Sequence, residues 1–448
     1  MGTTTTRRTT VLGVDIGSTN TKVVALDRDG HVVARVRRRT PRNADNPSVD
    51  ADQLFEAIED MVLEVCGDQL AVRAVCAAGI GEDGVLTDTG LRPLTPALAW
   101  FDPRRQDIFQ TLAPQLGPAD DMGVEPDPAR TVVGWTWART QPGTETATGW
   151  LALTDFAGAR WAGTPFLSET LAARTAAWHT TARTWMSPRV VATLGTTDLL
   201  PRVIRTGAVI GPLHSARLAE AGVLAPDAAV VAGGHDHPVG GWGVGLLNGG
   251  AVLDSMGTAE VVTTQSRRPA PSPANGLDSA AGIRHDGTTV LRVEELDRNI
   301  KWARQDPALS TVLDELIRGD RQPDGYLTSG TFRPGAAGGQ HPLYTPDAPT
   351  SPASRASAVL GALAELGGQA IDRVSAYAEP GTQVFTAGGW SRSPGWVAIK
   401  QAVTQREATP ISEPEVTATG AALLAAHAIG WAPDPATALA PAPAPRAV

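Results

Sequence analysis

The feature that most constrains this chain is a short pattern that occurs twice, 239 residues apart. Near the start, Asp15-Ile16-Gly17-Ser18-Thr19 runs into Lys22-Val23-Val24. Later, Asp254-Ser255-Met256-Gly257-Thr258 runs into Glu260-Val261-Val262. Each reads as a buried strand, a Gly-rich turn and a returning strand. Self-similarity at this distance points to two related domains, spanning about 11–245 and about 250–430. A chain of 448 residues with 42% hydrophobic and 19% charged residues has ample apolar material for two such cores.

Around the first copy, Val11 to Val14 and Thr21 to Leu26 read as strands. Asp29-Gly30 reads as a type I′ hairpin turn, and His31 to Arg37 as the returning strand. Leu54, Ile58, Met61 and Val65 recur at helical spacing, so a helix is expected over 52–65, with Asp50 and Gln53 as its capping box. Val72 to Ala77 is a further strand. Strands and helices in this order form an α/β layer. Val230 to Gly234 reads as a buried strand running into a loop at His235-Asp236-His237. The Pro-rich stretches 269–273 and 342–352 read as loops of the second domain. The Thr-rich residues 1–10 and the Ala/Pro-rich residues 431–448 are expected to be disordered tails.

Composition excludes several classes of function. A net charge of −9 argues against non-specific nucleic-acid binding. Two cysteines, Cys66 and Cys76, are too few for a disulfide framework or a four-ligand zinc site, which fits a cytoplasmic protein. No apolar run of about 18 residues offers a membrane span. The basic residues are lopsided, with three lysines (Lys22, Lys301, Lys400) against 35 arginines.

Four segments carry candidate chemistry. In Asp15 to Lys22, Gly17 allows a tight turn, Ser18, Thr19 and Asn20 offer donors to phosphate oxygens, and Lys22 adds a positive charge. Asp15 suits Mg²⁺, usually through water. The segment is no Walker A loop, and an ordinary polar hairpin is the plain alternative. Gly257 and Thr258 form the matching turn. In Gly233-Gly234-His235-Asp236, an Asp at a strand end flanked by glycines suits a general base, with helix capping as the alternative. In Ala387-Gly388-Gly389-Trp390-Ser391-Arg392-Ser393-Pro394, a strand ends in two glycines and a helix begins with Ser393 as N-cap and Pro394 at its first position. Such a turn leaves room for a flat base against the backbone. Glu415 to Leu424 reads as a small-residue helix that packs closely on a neighbour.

Taken together, these blocks resemble the FGGY carbohydrate kinases of the actin-like ATPase superfamily, over nearly the whole chain from Val11 to about Gly430. Ala99-Trp100-Phe101-Asp102-Pro103-Arg104 resembles the family's Trp-x-Asp-x-Arg segment. Ala172-Ala173-Arg174-Thr175 with Trp185 resembles its Ala-Ser-Arg-Thr and downstream Trp. The resemblance implies an α/β fold of two actin-like (ribonuclease H-like) domains around a central nucleotide and sugar cleft. It implies ATP and Mg²⁺, with Asp15, Gly17, Ser18, Thr19, Asn20, Lys22, Gly257, Thr258, Gly388, Gly389 and Ser393 toward the nucleotide. Asp236 becomes the implied catalytic base. Glu82, Asp83, Asp102, Arg104, Trp178 and Asp236 are the candidate contacts of a sugar, keto-sugar or polyol, although Asp83-Gly84 also reads as a turn and Trp178 as core. A homodimer is the candidate assembly, with no nucleic-acid or membrane partner. Another actin-like ATPase and a kinase-derived sugar sensor are the competing functions. The sensor is expected to have lost Asp15 or Asp236, and both are present. The chain departs from the family pattern at Gly79-Ile80-Gly81-Glu82-Asp83-Gly84, at Phe101 and at Gly361, and it is short in its second half.

Overall fold

A computed structural model describes residues 7–42, 47–119, 122–336 and 340–440. The chain forms two compact units of interrupted sequence. The first is built from the chain up to Gly243 with Arg267–Thr289 and Glu415–Leu439; the second contains Val244–Ser266 and Val290–Pro414.

The first unit holds a mixed six-stranded sheet. Its strands are β1 (Arg8–Ile16), β2 (Asn20–Leu26), β3 (Val32–Arg39), β4 (Leu70–Gly79), β5 (Val209–Pro212) and β6 (Leu224–His235). They lie in the order β5-β6-β4-β1-β2-β3. Register decides where function can sit. Strands β1, β4 and β6 are parallel, with Ile16 opposite Gly79 and Gly79 opposite His235. Their carboxyl ends therefore coincide at one edge of the sheet, where ligands of α/β proteins bind. Helix α1 (Ala51–Cys66) and helix α2 (Leu153–Ala162) share the core of this sheet through Leu54, Ile58, Met61, Phe156 and Trp161. Asp50 caps α1 as its sequence predicts, accepting a hydrogen bond from the Gln53 amide at 3.0 Å. Helix α3 (Asp236–Gly245) follows β6 without an intervening residue, so the loop expected at 235–237 is a direct strand-to-helix junction.

The small-residue helix Val416–Ala428 belongs to the first unit, not to the second as its position in the sequence suggests. Its backbone approaches β1 so closely that a Cβ on Gly13 would lie 1.8 Å from the Ala418 carbonyl oxygen. Residues 267–289 also join the first unit. The two segments together move the division away from the expected 11–245 and 250–430.

Ordered structure reaches into both segments expected to be tails. Strand β1 begins at Arg8, and Arg7 donates to the Leu70 carbonyl at 3.1 Å. At the other end, Asp434 accepts from the Ala436 and Thr437 amides and starts a turn of helix over Pro435–Leu439, with Ala438 and Leu439 buried. Residues 1–6 and 441–448 lie outside the described residues. The Asp29-Gly30 turn is not type I′. Gly30 has φ +103°, but Asp29 is not left-handed, and Asp27 accepts from both the Asp29 and His31 amides.

The second unit centres on β7 (Val252–Met256) and β8 (Glu260–Ser266), an antiparallel hairpin, with β9 (Thr288–Glu294) next to β8. Helix α4 (Pro352–Ser375) precedes β10 (Val384–Ala387), which runs parallel to β7. Helix α5 (Pro394–Thr404) leads to the short strand β11 (Thr409–Pro410) beside β10. Leu313, Leu316, Val359, Leu360, Leu363, Trp396 and Ile399 fill the core beneath. No helix among the described residues is long and apolar enough to cross a membrane.

Candidate active site

The loop from Gly17 to Thr19 joins β1 to β2, and its carbonyls are all occupied from behind. The Thr40 hydroxyl donates to Gly17 O at 2.7 Å, Arg42 Nε to Ser18 O at 2.9 Å, and the Thr40 amide to Thr19 O at 3.1 Å. Trp100 Nε1 donates to the Ser18 hydroxyl at 2.8 Å. The Ser18 and Thr19 amides have no assigned acceptor among the described residues. A loop with its carbonyls tied back and its N–H groups unspent is suited to an anion. Directly below, Asp15 and Lys22 sit opposite each other in the β1–β2 register, and their side chains meet at 2.6 Å. Burial alone lowers the Lys22 pKa, but the Asp15 carboxylate outweighs it and the net direction is up. The Asp15 side chain fits a divalent cation in charge and donor type. The one three-residue grouping of metal-ligating side chains among the described residues, Asp27, Asp29 and His31, belongs to the turn at the other end of β2.

Asp236 is the first residue of α3, at the edge where β1, β4 and β6 end. The glycines before it shape the junction: Gly234 has φ +148°, and a Cβ there would lie 2.0 Å from the Thr170 hydroxyl oxygen. The Asp236 carboxylate accepts from the His237 amide at 2.7 Å and lies 3.2 Å from His235 Nε2. Burial, opposed by His237 and reinforced by Asp15, holds its pKa above the ordinary carboxylate value. Burial and then Arg174 push His235 well below its usual value, so this imidazole is neutral. A carboxylate with a raised pKa, partly open to solvent, has the properties of a general base.

Glu82 follows β4 and is buried. Its Oε1 accepts from Arg174 Nε at 2.7 Å and lies 2.6 Å from Arg174 Nη2. Arg174 Nη1 reaches Asp278 at 2.5 Å, and Arg130 bridges Asp278 and Asp127 at 3.3 and 2.9 Å. Both guanidinium groups are thus engaged by carboxylates, while Glu82 Oε2 carries none of these bonds. Arg174 and Asp278 hold Glu82 in place, a contact for which the sequence assigns neither a role. Asp278 lies 104 residues from Arg174 and nothing in its local pattern marks it.

The remaining candidates separate. Asp83 is fully buried, with neither carboxylate oxygen hydrogen-bonded by a side chain; Arg105 is 3.6 Å away, and burial pushes the Asp83 pKa up to about 7. No atom of Asp83 is open to a ligand. Asp102 and Arg104 form a bidentate pair with each other at 2.9 and 2.7 Å, and Arg104 holds the Asp102 pKa down. Trp178 packs against Trp185 with ring centroids 4.8 Å apart in a buried apolar cluster, which is the core alternative.

The second unit carries the other hairpin loop. The Gly257 amide donates to Ala259 O at 2.9 Å, and the Asp297 amide to Thr258 O at 3.0 Å. Gly388, φ +92°, lies against this hairpin: a Cβ there would be 2.3 Å from Met256 O. Ser393 takes the N-cap position of α5 with Pro394 following, but its hydroxyl makes no capping bond.

The comparisons with known proteins agree with this geometry. The model of the FGGY family of carbohydrate kinases, N-terminal domain, matches residues 10–243. An L-fuculokinase of Salmonella typhi is 26% identical over 330 residues, 68% of each chain. A xylulose kinase of Streptomyces coelicolor is 26% identical over 439 residues, 93% of this chain and 87% of its own. Among solved structures, a xylulose kinase from Rhodospirillum rubrum superposes with a TM-score of 0.79 at 21% identity, covering 96% of this chain and 95% of its own. A gluconate kinase from Lactobacillus acidophilus gives 0.81 at 17% identity, covering 95% and 90%. These structures share the actin-like α/β fold. With more than half of its length matched by the family model, the chain belongs to the FGGY family of carbohydrate kinases.

Proposed function

We propose that this kinase transfers the γ-phosphoryl group of ATP to a hydroxyl of a neutral sugar, keto-sugar or polyol, with Asp236 as general base. The observation that carries the reading is the register of β1, β4 and β6. It gathers Asp15, Glu82 and Asp236 at one sheet edge from positions far apart in sequence. Asp236 takes the proton of the acceptor hydroxyl as its oxygen bonds to the γ-phosphorus and the bond to ADP breaks. The raised Asp236 pKa makes it a stronger base than a solvated carboxylate. The loops at Gly17–Asn20 and Gly257–Ala259 are the proposed phosphate holders, with Gly388, Gly389 and Ser393 on the adenosine side. Mg²⁺, with Asp15 as a ligand through water, would neutralise charge on the phosphates.

The substrate class follows from Glu82. Arg174 and Arg130 are already neutralised by Glu82, Asp278 and Asp127, so neither presents a free guanidinium edge to a substrate carboxylate. Glu82 Oε2 instead offers an acceptor to a hydroxyl. Buried free Cys66 and Cys76 suit a reducing cytoplasm. ADP release measured over ketoses, aldoses, polyols and aldonates tests the reading. A neutral acceptor should be turned over with kcat/KM at least about tenfold above any aldonate. ATP binding with no acceptor turned over would contradict it and favour a sensor.

A further inference from the structure

Beneath the second hairpin lies a charged group that the proposed chemistry does not use. Lys400, on α5, is buried and its Nζ contacts Asp254 of β7 and, at 2.5 Å, Glu260 Oε1 of β8. Asp254 and Glu260 are themselves buried. The place is built to hold these groups. Helix α4 leaves room for the Glu260 carboxyl only because residue 367 is glycine, whose Cβ would lie 2.0 Å from Glu260 Oε1. Between the two carboxylates in sequence, Met256 receives Lys400 Nζ at 3.5 Å and Trp396 Nε1 at 3.2 Å on its sulfur. Gly388 presses on the Met256 backbone from a third side.

Burying a lysine with two acids is expensive, and apolar residues of similar volume are commonly as stable or more so. Geometry is what the charged arrangement adds. Asp254, Met256 and Glu260 flank the loop Gly257–Ala259, with Met256 and Glu260 forming the last pair before it. Lys400 grips both strands of that hairpin from the helix that starts just after Gly388 and Gly389. A strand slip or a rotation of α5 would break both contacts at once.

We propose that Lys400 is a positioning residue that fixes the second phosphate loop relative to the adenosine-side elements of the same unit. The inference rests on the reading that Gly257–Ala259 holds ATP phosphates. Burial, and then Asp254, raise the Glu260 pKa against the pull of Lys400; the three groups are buried and paired with one another, so their role is to hold the hairpin and not to attract the nucleotide.

Full-length Lys400→Met and the charge-balanced triple variant Lys400→Met, Asp254→Asn, Glu260→Gln test this, with Thr258→Ala as a probe of the loop itself. Removing Lys400 alone strands two buried carboxylates and can unfold the protein; the triple variant avoids that. The triple variant, folded by circular dichroism, should raise the KM for ATP about tenfold. Its KM for the sugar should stay within about twofold. A purely structural triad predicts a folded triple variant with wild-type ATP KM, and that result overturns the proposal. If Thr258→Ala raises the ATP KM in the same series, the phosphate-loop reading stands and only the Lys400 role fails. If Thr258→Ala also leaves it unchanged, the loop reading fails and the Lys400 proposal with it.

Discussion

The two hairpins that share the Asp-to-Gly-Thr pattern treat their lysines in opposite ways. In the first, Lys22 and Asp15 are partners across the strands, and their side chains keep 19% and 8% of their exposure at the mouth of the loop. In the second, the position facing Asp254 is Val262, and the lysine arrives from a separate helix into a site where Asp254 and Glu260 keep 0% and 2%. The first pair can open toward a ligand at small cost, because water still reaches it. The second cannot, because each of its charges depends on the others for solvation. Two similar turns thus carry different supports: a pair that water still reaches and a buried foundation.

Stability separates the two most sharply. Lys400→Met should cost about 3–5 kcal/mol, the range for breaking a buried pair from one side. Lys22→Met should cost less, about 1–3 kcal/mol, because water still reaches the Lys22 side chain although Asp15 would lose its partner. Urea unfolding of both variants checks this, and equal losses would erase the distinction. A smaller effect is expected in pH dependence. Glu260 has a folded pKa of about 8 against an ordinary 4.5. For an acid whose pKa is raised by folding, the folded state binds the extra proton, so the favourable term is complete below about 4.5 and is lost as pH rises through about 8. Glu260→Gln should therefore flatten the fall in stability between those limits and gain on the wild type as pH rises. A slope unchanged by Glu260→Gln would show that this carboxyl is ionised in the folded state.

Much of the first unit was legible in the sequence because its signals are local. Short apolar runs bounded by turn residues mark β1 to β4, and the apolar spacing from Leu54 to Val65 with Asp50 ahead of it marks α1. The Gly17 turn, with donors on one side and Lys22 five residues on, marks the proposed phosphate loop. The glycines before Asp236 mark it as the proposed base. What escaped depends on partners distant along the chain. Glu82 was found, but not the Arg174 that holds it nor the Asp278 beyond. Asp83, read as a sugar contact, is shut inside because its carboxyl turns toward Arg105. Trp178 is core because Trp185 packs edge-on against it in a buried apolar cluster. The helix Val416–Ala428 joined the first unit because its small residues allow backbone contact with Gly13, a choice that pattern alone does not make. Lysine scarcity was the one compositional hint to Lys400, and its burial between two acids is what gives that hint meaning.

The most direct test of the account is Asp236→Asn, compared with the wild type on the acceptor found by the substrate screen, with ATP binding measured in parallel by calorimetry. Loss of a positioned general base should lower kcat by about 10²- to 10⁴-fold with ATP affinity essentially retained. Sugar-dependent turnover within a few-fold of the wild type would contradict the assignment of Asp236, and with it the placement of the reacting hydroxyl at the edge shared by β1, β4 and β6.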